Sequence, residues 1–249
     1  MAHGTAASIE ALSTCKVILV AVPDAALPQV VAQLANADLR LANTVVLQTS
    51  RTHDSGDLAR LRRRGAAVGS LQPLFVLRRP VPSLAGVYCA IEGDAAATRM
   101  ARKMIRSWDG EFQLVRADQK LHLGIASSIA ADFLPGLLEM AIQQLSLAGF
   151  LKKRSLCAIS HLLDAAFKEY SRAGRRARAG PLLRNEAGTV QQYLERLERI
   201  DPPLAKAYRR TARQTLDLLR RMDDEFAFLE DPPASGARAM RAAAGGASK

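Results

Sequence analysis

The fold is decided by the stretch Lys16-Val-Ile-Leu-Val-Ala-Val22, which is closed by Pro23-Asp24. A continuous apolar run of this length is typical of a parallel β-strand that is covered on both faces. Strand and helix patterns alternate over about the next 100 residues, as they do in an α/β sheet. The run therefore predicts the first strand of such a sheet.

The pattern predicts further strands over residues 44–48, 66–71, 87–91 and 112–115, with helices over 25–34 and 95–108. Asp54 or Ser55 can cap another helix, and Gly65 supplies its left-handed stop. From residue 117 onward only helices are predicted, over 118–148, 152–170, 189–200 and 202–229, the last capped by Asp201. We expect an α/β fold: a partial parallel sheet domain in residues 1–116, an all-helical domain in 117–230 and a disordered tail in 231–249.

The glycine-rich turn of a dinucleotide-binding fold is missing from the sequence. No G-x-G-x-x-G occurs, and only 15 residues precede the apolar run. A phosphate-binding βαβ unit needs about 30 residues. We therefore expect a truncated first unit, or a start codon placed too late, and weak binding or no binding of a dinucleotide.

Composition narrows the function classes. The net charge of +11 comes from arginines and lysines that alternate with apolar positions, as on the solvated faces of helices. Few aromatic residues are present and none interleaves the basic runs, so nucleic acid is not an expected partner, and a basic anion-binding protein is the remote alternative. No apolar run predicts a membrane span, and the N-terminus does not resemble a secretory signal.

Cysteines and histidines give no sign of disulfides or metal. Cys15, Cys89 and Cys157 are widely spaced and odd in number, which predicts reduced, mostly buried thiols in a cytoplasmic protein. The four histidines are dispersed, without metal-ligand spacing among themselves or with the cysteines. No hydrolase elbow and no P-loop occur either.

Several short motifs together resemble a known bacterial family. They are Val20-Ala-Val-Pro-Asp24, Gln48-Thr-Ser50, Gly65-Ala-Ala-Val-Gly-Ser-Leu-Gln-Pro73, Leu84-Ala-Gly-Val87, Ala90-Ile-Glu-Gly-Asp94, Lys120, and Gly180-Pro181 with Thr189-Val190. In order and spacing they are similar to Rossmann-like oxidoreductases of unassigned substrate, related in plan to pyrroline-5-carboxylate reductase and the β-hydroxyacid dehydrogenases. The resemblance covers residues 15–225. It implies a partial Rossmann-like domain entered around its fourth strand, NADP or NAD as cofactor, a small-molecule substrate, and a helical domain of the 6-phosphogluconate dehydrogenase type that forms a homodimer.

The chain also departs from that family. Where relatives typically carry histidine, this sequence has Gln48 and Gln72. On the long helix the usual lysine is kept as Lys120, but Gly124 and Asp132 replace a histidine and an asparagine. Two functions are therefore open: an NAD(P)-dependent oxidoreductase, or a non-catalytic remnant that folds and dimerises through its helical domain.

Lys120 is the catalytic residue that the resemblance implies. In a reductase it would donate a proton to the carbonyl or imine of the substrate, provided that burial lowers its pKa. On a helix it shares a face with Gly124, Ser127 and Ala131, small residues that could admit a ligand or a close neighbour. His122 lies about 200° around the helix and cannot join it. The alternative is a solvated surface lysine.

The cofactor-binding candidates lie at two strand ends. In open α/β sheets, ligands bind beyond the carboxyl ends of the strands. Val22, Pro23 and Asp24 follow the first strand, and Thr49 and Ser50 follow the second, so their amides and hydroxyls could line a nicotinamide ribose. The alternative is that these residues only start and cap the segments that follow.

Overall fold

A computed structural model describes residues 9, 11–75, 83–219 and 224–229 of the chain. It forms two compact units, Met1–Gly136 and Leu137–Lys249. The domain boundary at residue 116 stays a prediction. The proline-rich loop at 78–82 and the tail at 231–249, for which the sequence predicts irregular structure, lie outside the described residues.

The first unit is an α/β sheet whose strand order equals the order along the chain. Its strands are β1 (Val17–Val20), β2 (Val45–Gln48), β3 (Ala67–Pro73), β4 (Tyr88–Gly93) and β5 (Glu111–Leu114). Three helices connect them: α1 (Leu27–Asn36), α2 (Ala59–Arg63) and α3 (Ala95–Arg106). The predicted α/β class is confirmed, with strand positions within about two residues of those expected.

Two strands, β4 and β5, run against the predicted direction. The pairs β1–β2, β2–β3 and β4–β5 are parallel, but β3 and β4 are antiparallel, so the sheet is mixed. Parallel neighbours need a crossover, usually a helix, whereas antiparallel neighbours need only a turn. The described part of the connection from Pro73 to Tyr88 contains no helix, and β4 returns directly beside β3. The prediction of an all-parallel sheet is therefore wrong at this pair.

Both faces of the sheet are covered, as the apolar strands predict. One face packs against α1 and α2 through buried residues such as Ile18, Val46 and Leu61. The opposite face packs against α3, with Leu47 and Ile91 fully buried. Alternate side chains of a strand point to opposite faces, so β1, β2 and β3 contribute to both clusters, whereas β4 and β5 contribute to the second.

The predicted cap and stop of the second helix are confirmed. The Asp54 carboxylate accepts a hydrogen bond from the amide of Gly56 and starts the 3-10 turn Ser55–Leu58, which leads into α2. Gly65 ends the segment with a φ of +91°. A left-handed residue is favourable there because glycine has no Cβ to clash.

The long helix predicted over residues 118–148 is two helices, α4 (Lys120–Ala131) and α5 (Leu134–Leu147). Pro135 occupies the second position of α5, where a proline is tolerated because that amide has no partner in the helix. By length and composition, the stretch 117–147 is apolar enough to cross a membrane, because an 18-residue window within it has a mean hydropathy of 1.5, contrary to the expectation. Each helix alone is shorter than the about 20 residues that a span needs.

The second unit is helical, as predicted. Its helices include α6 (Lys152–Ala173), α7 (Ala187–Ile200) and α8 (Pro202–Leu219), followed by a 3-10 segment, Asp224–Leu229. Val190, Leu216 and Phe226 lie in its buried core. The predicted cap of α8 is confirmed, because the Asp201 carboxylate accepts a hydrogen bond from the amide of Leu204 at 3.0 Å.

The three cysteines are free, as expected, but they are not all buried. Cys89 is fully buried in β4, and burial raises the pKa of its thiol to about 11. Cys15 is half-buried, and Cys157 is exposed on α6. The prediction of mostly buried thiols is therefore wrong for Cys157, which occupies a solvent-facing position of its helix.

Candidate functional site

A row of three polar side chains crosses the sheet on one face. Gln48 in β2 is in register with Ser70 in β3, and Ser70 is in register with Glu92 in β4. All three are buried, at 0%, 1% and 4% exposure. The row begins at Gln48, the last residue of β2, and passes through Ser70 in the middle of β3. Open α/β sheets bind ligands beyond the carboxyl ends of their parallel strands. Because buried polar groups are normally hydrogen-bonded, each of these three side chains requires a hydrogen-bond partner.

Lys120, the first residue of α4, supplies one of those partners. Its side chain is 1% exposed. The ammonium Nζ donates to the backbone carbonyl of Ser50 at 2.9 Å and to the hydroxyl of Ser70. The alternative of a solvated surface lysine is therefore wrong, although the residue stands in the first turn of a helix.

The environment of Lys120 lowers its pKa to about 8. Burial is the largest cause, because removal from water disfavours the charged form. The negative charges of Glu92, Asp54, Asp24 and Asp57 act in the opposite direction, with Glu92 the strongest. A pKa of about 8 leaves the ammonium protonated at neutral pH but makes it a better proton donor than an ordinary lysine.

The loop after β2 is built around Ser50. Its hydroxyl accepts hydrogen bonds from the amides of Thr52 at 3.1 Å and His53 at 2.9 Å. The Gln48 side chain completes the loop, since its Oε1 accepts from the amide of Ser50 and its Nε2 donates to the carbonyl of His53 at 2.6 Å. These bonds fix the Ser50 carbonyl that Lys120 contacts, so Ser50 does cap the following segment.

Asp24 joins the same cluster from the end of β1. Its carboxylate accepts from the Thr52 hydroxyl at 2.8 Å. Partial burial raises the pKa of Asp24, but hydrogen bonds from Ser50 and Thr52 outweigh it and hold the net value below the ordinary one. The structure thus brings together Asp24, Ser50 and Lys120 among the predicted residues.

The other cofactor candidates are placed less centrally. Val22 is half-buried against the α1–α2 side of the core, and Pro23 is exposed at the start of a 3-10 turn. Thr49 is half-buried, and its amide donates to the carbonyl of Val20 at 3.2 Å. Their contact with a cofactor stays a prediction.

Gly124 brings α4 close to this loop. A Cβ at this position would lie 3.2 Å from the Arg51 carbonyl oxygen, tighter than an ordinary contact. The small-residue face is predicted to admit either a ligand or a close neighbour. At Gly124 the structure shows a close neighbour, the backbone of Arg51. The hydroxyl of Ser127 donates to the carbonyl of Leu123 in its own helix. His122 is exposed, and so lies apart from the buried Lys120, as expected.

Sequence reasoning missed two residues of the cluster. The Glu92 carboxylate accepts from both the amide and the hydroxyl of Ser55, at 2.8 and 2.7 Å. Gln72, two residues beyond Ser70 in β3, is also buried, at 1% exposure. The available signal was a set of polar residues in strands that are otherwise apolar, because a buried polar side chain in a strand requires a specific partner.

The cluster offers some of the contacts that a nicotinamide dinucleotide needs. Both side-chain amide atoms of Gln72 are buried without a hydrogen-bond partner among the described residues, which suits a planar polar group such as a nicotinamide. No glycine-rich phosphate turn occurs in the sequence. The residues present therefore fit the nicotinamide end of the cofactor. In the described part of the chain, no three His, Cys, Asp or Glu side chains form a metal site.

Known proteins share this architecture. The model of a domain of unknown function, DUF2520, matches residues 87–215, more than half of the chain, and a Rossmann-like domain matches residues 4–73. The protein TM1727 from Thermotoga maritima is similar, with a TM-score of 0.65 and 18% identity over 82% of this chain and 78% of that chain. No curated protein matches the chain in sequence.

Two reductases share the fold at lower identity. Pyrroline carboxylate reductase from Plasmodium falciparum, solved with NADP bound, has a TM-score of 0.55 and 10% identity over 89% of this chain and 80% of that chain. An imine reductase from Myxococcus stipitatus, in complex with NADP+, has a TM-score of 0.54 and 13% identity, with 88% and 81% covered. These likenesses confirm the predicted Rossmann-like fold with a helical C-terminal part.

Proposed function

The chain belongs to the DUF2520 family, and from this premise we propose that it is an NAD(P)-dependent reductase of a small carbonyl or imine compound. The likeness in fold to NADP-binding reductases supports a nicotinamide cofactor. When bound, such a cofactor supplies a hydride, so the protein must supply a proton to the developing anion. Lys120 is the proposed donor.

One observation carries this proposal: the ammonium of Lys120 has a hydrogen-bond donor to spare. An ammonium group has three N–H bonds. Two of them are used by the Ser50 carbonyl and the Ser70 hydroxyl, and no described residue accepts the third. A substrate oxygen or nitrogen would complete the set. Because Lys120 is 1% exposed, the substrate reaches it only after covering side chains move.

The role of the other residues follows from their bonds to Lys120. Ser50 and Ser70 hold the ammonium in place, and the hydrogen bonds of Gln48 hold the Ser50 loop. A proton donor that is held in position is far more effective than one that must diffuse in from solution. We also propose that Asp24 and Thr49 contact the nicotinamide side of the cofactor, along with the backbone at Val22 and Pro23.

The test is consumption of NADPH or NADH with a panel of cyclic imines and small ketones. We expect Lys120→Met to lower kcat about 100-fold or more, the usual contribution of a general acid. The matched control is Lys168→Met, since Lys168 is an exposed lysine paired with Asp164. In the native protein kcat should fall as pH rises above about 8, because the donor loses its proton.

One outcome would contradict the reductase, and another would contradict only the assignment of Lys120 as its proton donor. If neither cofactor binds, or none of the panel is reduced, the alternative of a non-catalytic remnant is favoured. If substrates are reduced but Lys120→Met equals Lys168→Met, the reductase stands and the donor is another group. The replacement of the family's histidines by Gln48 and Gln72 is the observation that keeps the remnant as the second candidate.

We also propose a homodimer formed through the helical part of the chain. On α6 the large apolar side chains Leu162 and Phe167 are 67% and 71% exposed. Within the second unit, a cavity of about 530 Å³ is lined mainly by apolar side chains, including Leu137, Tyr193 and Tyr208. Exposed apolar surface of this extent is typical of a protein–protein interface.

A further inference from the structure

The side-chain amide of Gln72 is buried and makes no hydrogen bond within the described part of the chain. Its side chain is 1% exposed, and neither its Oε1 nor its Nε2 has a partner among the described residues. A buried polar atom without a partner costs about 1–3 kcal/mol, so native proteins rarely keep one. An amide left with both ends unpaired therefore points to a group that the protein alone does not supply.

Gln48 is the matched case within the same sheet. It is the same residue type and equally buried, but its Nε2 donates to the carbonyl of His53 and its Oε1 accepts from the amide of Ser50. The fold is therefore able to satisfy a buried glutamine at this edge, and it leaves Gln72 unsatisfied.

The unsatisfied amide lies next to the proposed proton donor. Ser70 and Gln72 are two residues apart in β3, so their side chains point to the same face of the sheet. The hydroxyl of Ser70 accepts from the ammonium of Lys120. A ligand that contacts Gln72 is thus directed to the same face and the same end of the sheet as Lys120.

We infer that Gln72 binds the carboxamide group of the nicotinamide ring. This inference rests on the proposed function. A primary amide presents an acceptor beside a donor, so a single ligand group satisfies both atoms at once only if it carries a donor and an acceptor itself. A carboxylate would pair with Nε2 alone and would leave Oε1 unsatisfied. A carboxamide satisfies both, and it fixes the ring orientation relative to Lys120.

The first experiment compares the ligand-free stabilities of Gln72→Met and Gln48→Met by thermal unfolding. Methionine has nearly the shape of glutamine but no hydrogen-bonding group. Gln72→Met should leave the midpoint unchanged or raise it, because it removes an unsatisfied amide. Gln48→Met should lower the midpoint by several degrees, because it breaks two hydrogen bonds. An equal loss in both variants would show that Gln72 has a structural role and would overturn the inference.

The second experiment titrates the native protein and Gln72→Met with three ligands, followed by NMR at millimolar concentration. The ligands are NADPH, its 3-acetylpyridine analogue, which lacks the amide N–H, and 2′-phospho-ADP-ribose, which lacks the ring. Gln72→Met should weaken NADPH binding about tenfold or more. It should not change the affinity for 2′-phospho-ADP-ribose, and it should remove the preference for NADPH over the acetylpyridine analogue.

The outcomes separate this inference from the reductase proposal. If the native protein binds NADPH and Gln72→Met binds it equally well, the inference is overturned and the proposed function stands. If the variant weakens all three ligands alike, the effect is structural and the inference is again overturned. If the native protein binds no NADPH, the proposed function fails and the inference fails with it.

Discussion

Gly69 and Gly93 lie opposite each other across the antiparallel pair β3–β4, so close that a Cβ on Gly93 would be 2.4 Å from the Cα of Gly69. Gly93 also has a φ of +123°, in the region that favours glycine. The adjoining residues Ser70 and Glu92 are the next pair in register and belong to the polar row. Two glycines therefore set the strand spacing beside the site.

Gly93→Ala should destabilise the protein by about 3 kcal/mol or more, because the strand pair must separate and the backbone is strained. Gly86→Ala is the control. Gly86 has a positive φ of +72° but no atom within 4 Å of a built Cβ, so only the strain of about 1–2 kcal/mol applies. Urea denaturation measures both. An equal loss in the free energy of unfolding for both variants would mean that the close approach of the two strands does not affect stability.

The two hydrogen bonds between Ser55 and Glu92 should contribute strongly to stability. Ser55→Ala removes the hydroxyl donor and leaves one oxygen of a buried carboxylate unpaired, at a cost of about 2–3 kcal/mol. Ser107→Ala, which removes an exposed hydroxyl that donates to the Met104 carbonyl, should cost less than about 0.5 kcal/mol. A Ser55→Ala variant as stable as Ser107→Ala would contradict this role of Glu92.

Stability should depend on the ionisation of Lys120 in a predictable direction. Burial lowers its pKa from 10.5 to about 8 in the folded protein, so between these values the unfolded chain binds more protons. The contribution of Lys120 to the free energy of unfolding therefore rises with pH across this window, by up to about 3 kcal/mol. Below about pH 8 both states are protonated, and this contribution is constant.

The measurement is urea denaturation of the native protein and Lys120→Met at several pH values in that window. Subtraction removes the titration of all groups that the two proteins share. The native protein should gain stability relative to Lys120→Met as pH rises from about 8 toward 10. A difference that does not change with pH would show that the lysine titrates as a solvated group.

The homodimer is tested by sedimentation at micromolar concentration. Phe167→Glu should weaken association about 100-fold or more, because it places a charge in an apolar interface. Lys168→Glu, a charge change at the next position of α6, should have little effect. A native protein that sediments as a monomer would exclude this assembly.

Local patterns predicted the elements that local chemistry controls. The cap at Asp54, the stop at Gly65 and the cap at Asp201 each depend on a few neighbouring residues, and all three are confirmed. The break between α4 and α5 had a local signal as well, in Pro135. The apolar periodicity continues through this proline and therefore predicts one helix.

Strand direction and the hydrogen-bond partners of the buried polar side chains could not be predicted in the same way. The apolar run of β4 would be the same for either direction, because it only reports burial on both faces. Lys120 was identified through the family resemblance, but its burial depends on Ser50 and Ser70, which are distant in sequence. The same distance explains why the sequence did not predict the pairing of Glu92 with Ser55.

The order of the strands has a kinetic consequence. Each strand pairs with the strand that precedes it along the chain. No strand of the described sheet therefore has to pair across an intervening strand. The connection between β3 and β4, residues 74–87, is the shortest between successive strands, and short loops have the smallest entropic cost of closure. Contacts between segments that are near in the sequence form faster than contacts between distant ones. We therefore expect β3–β4 to form in the folding nucleus, after which the other strands add outward, one at each growing edge.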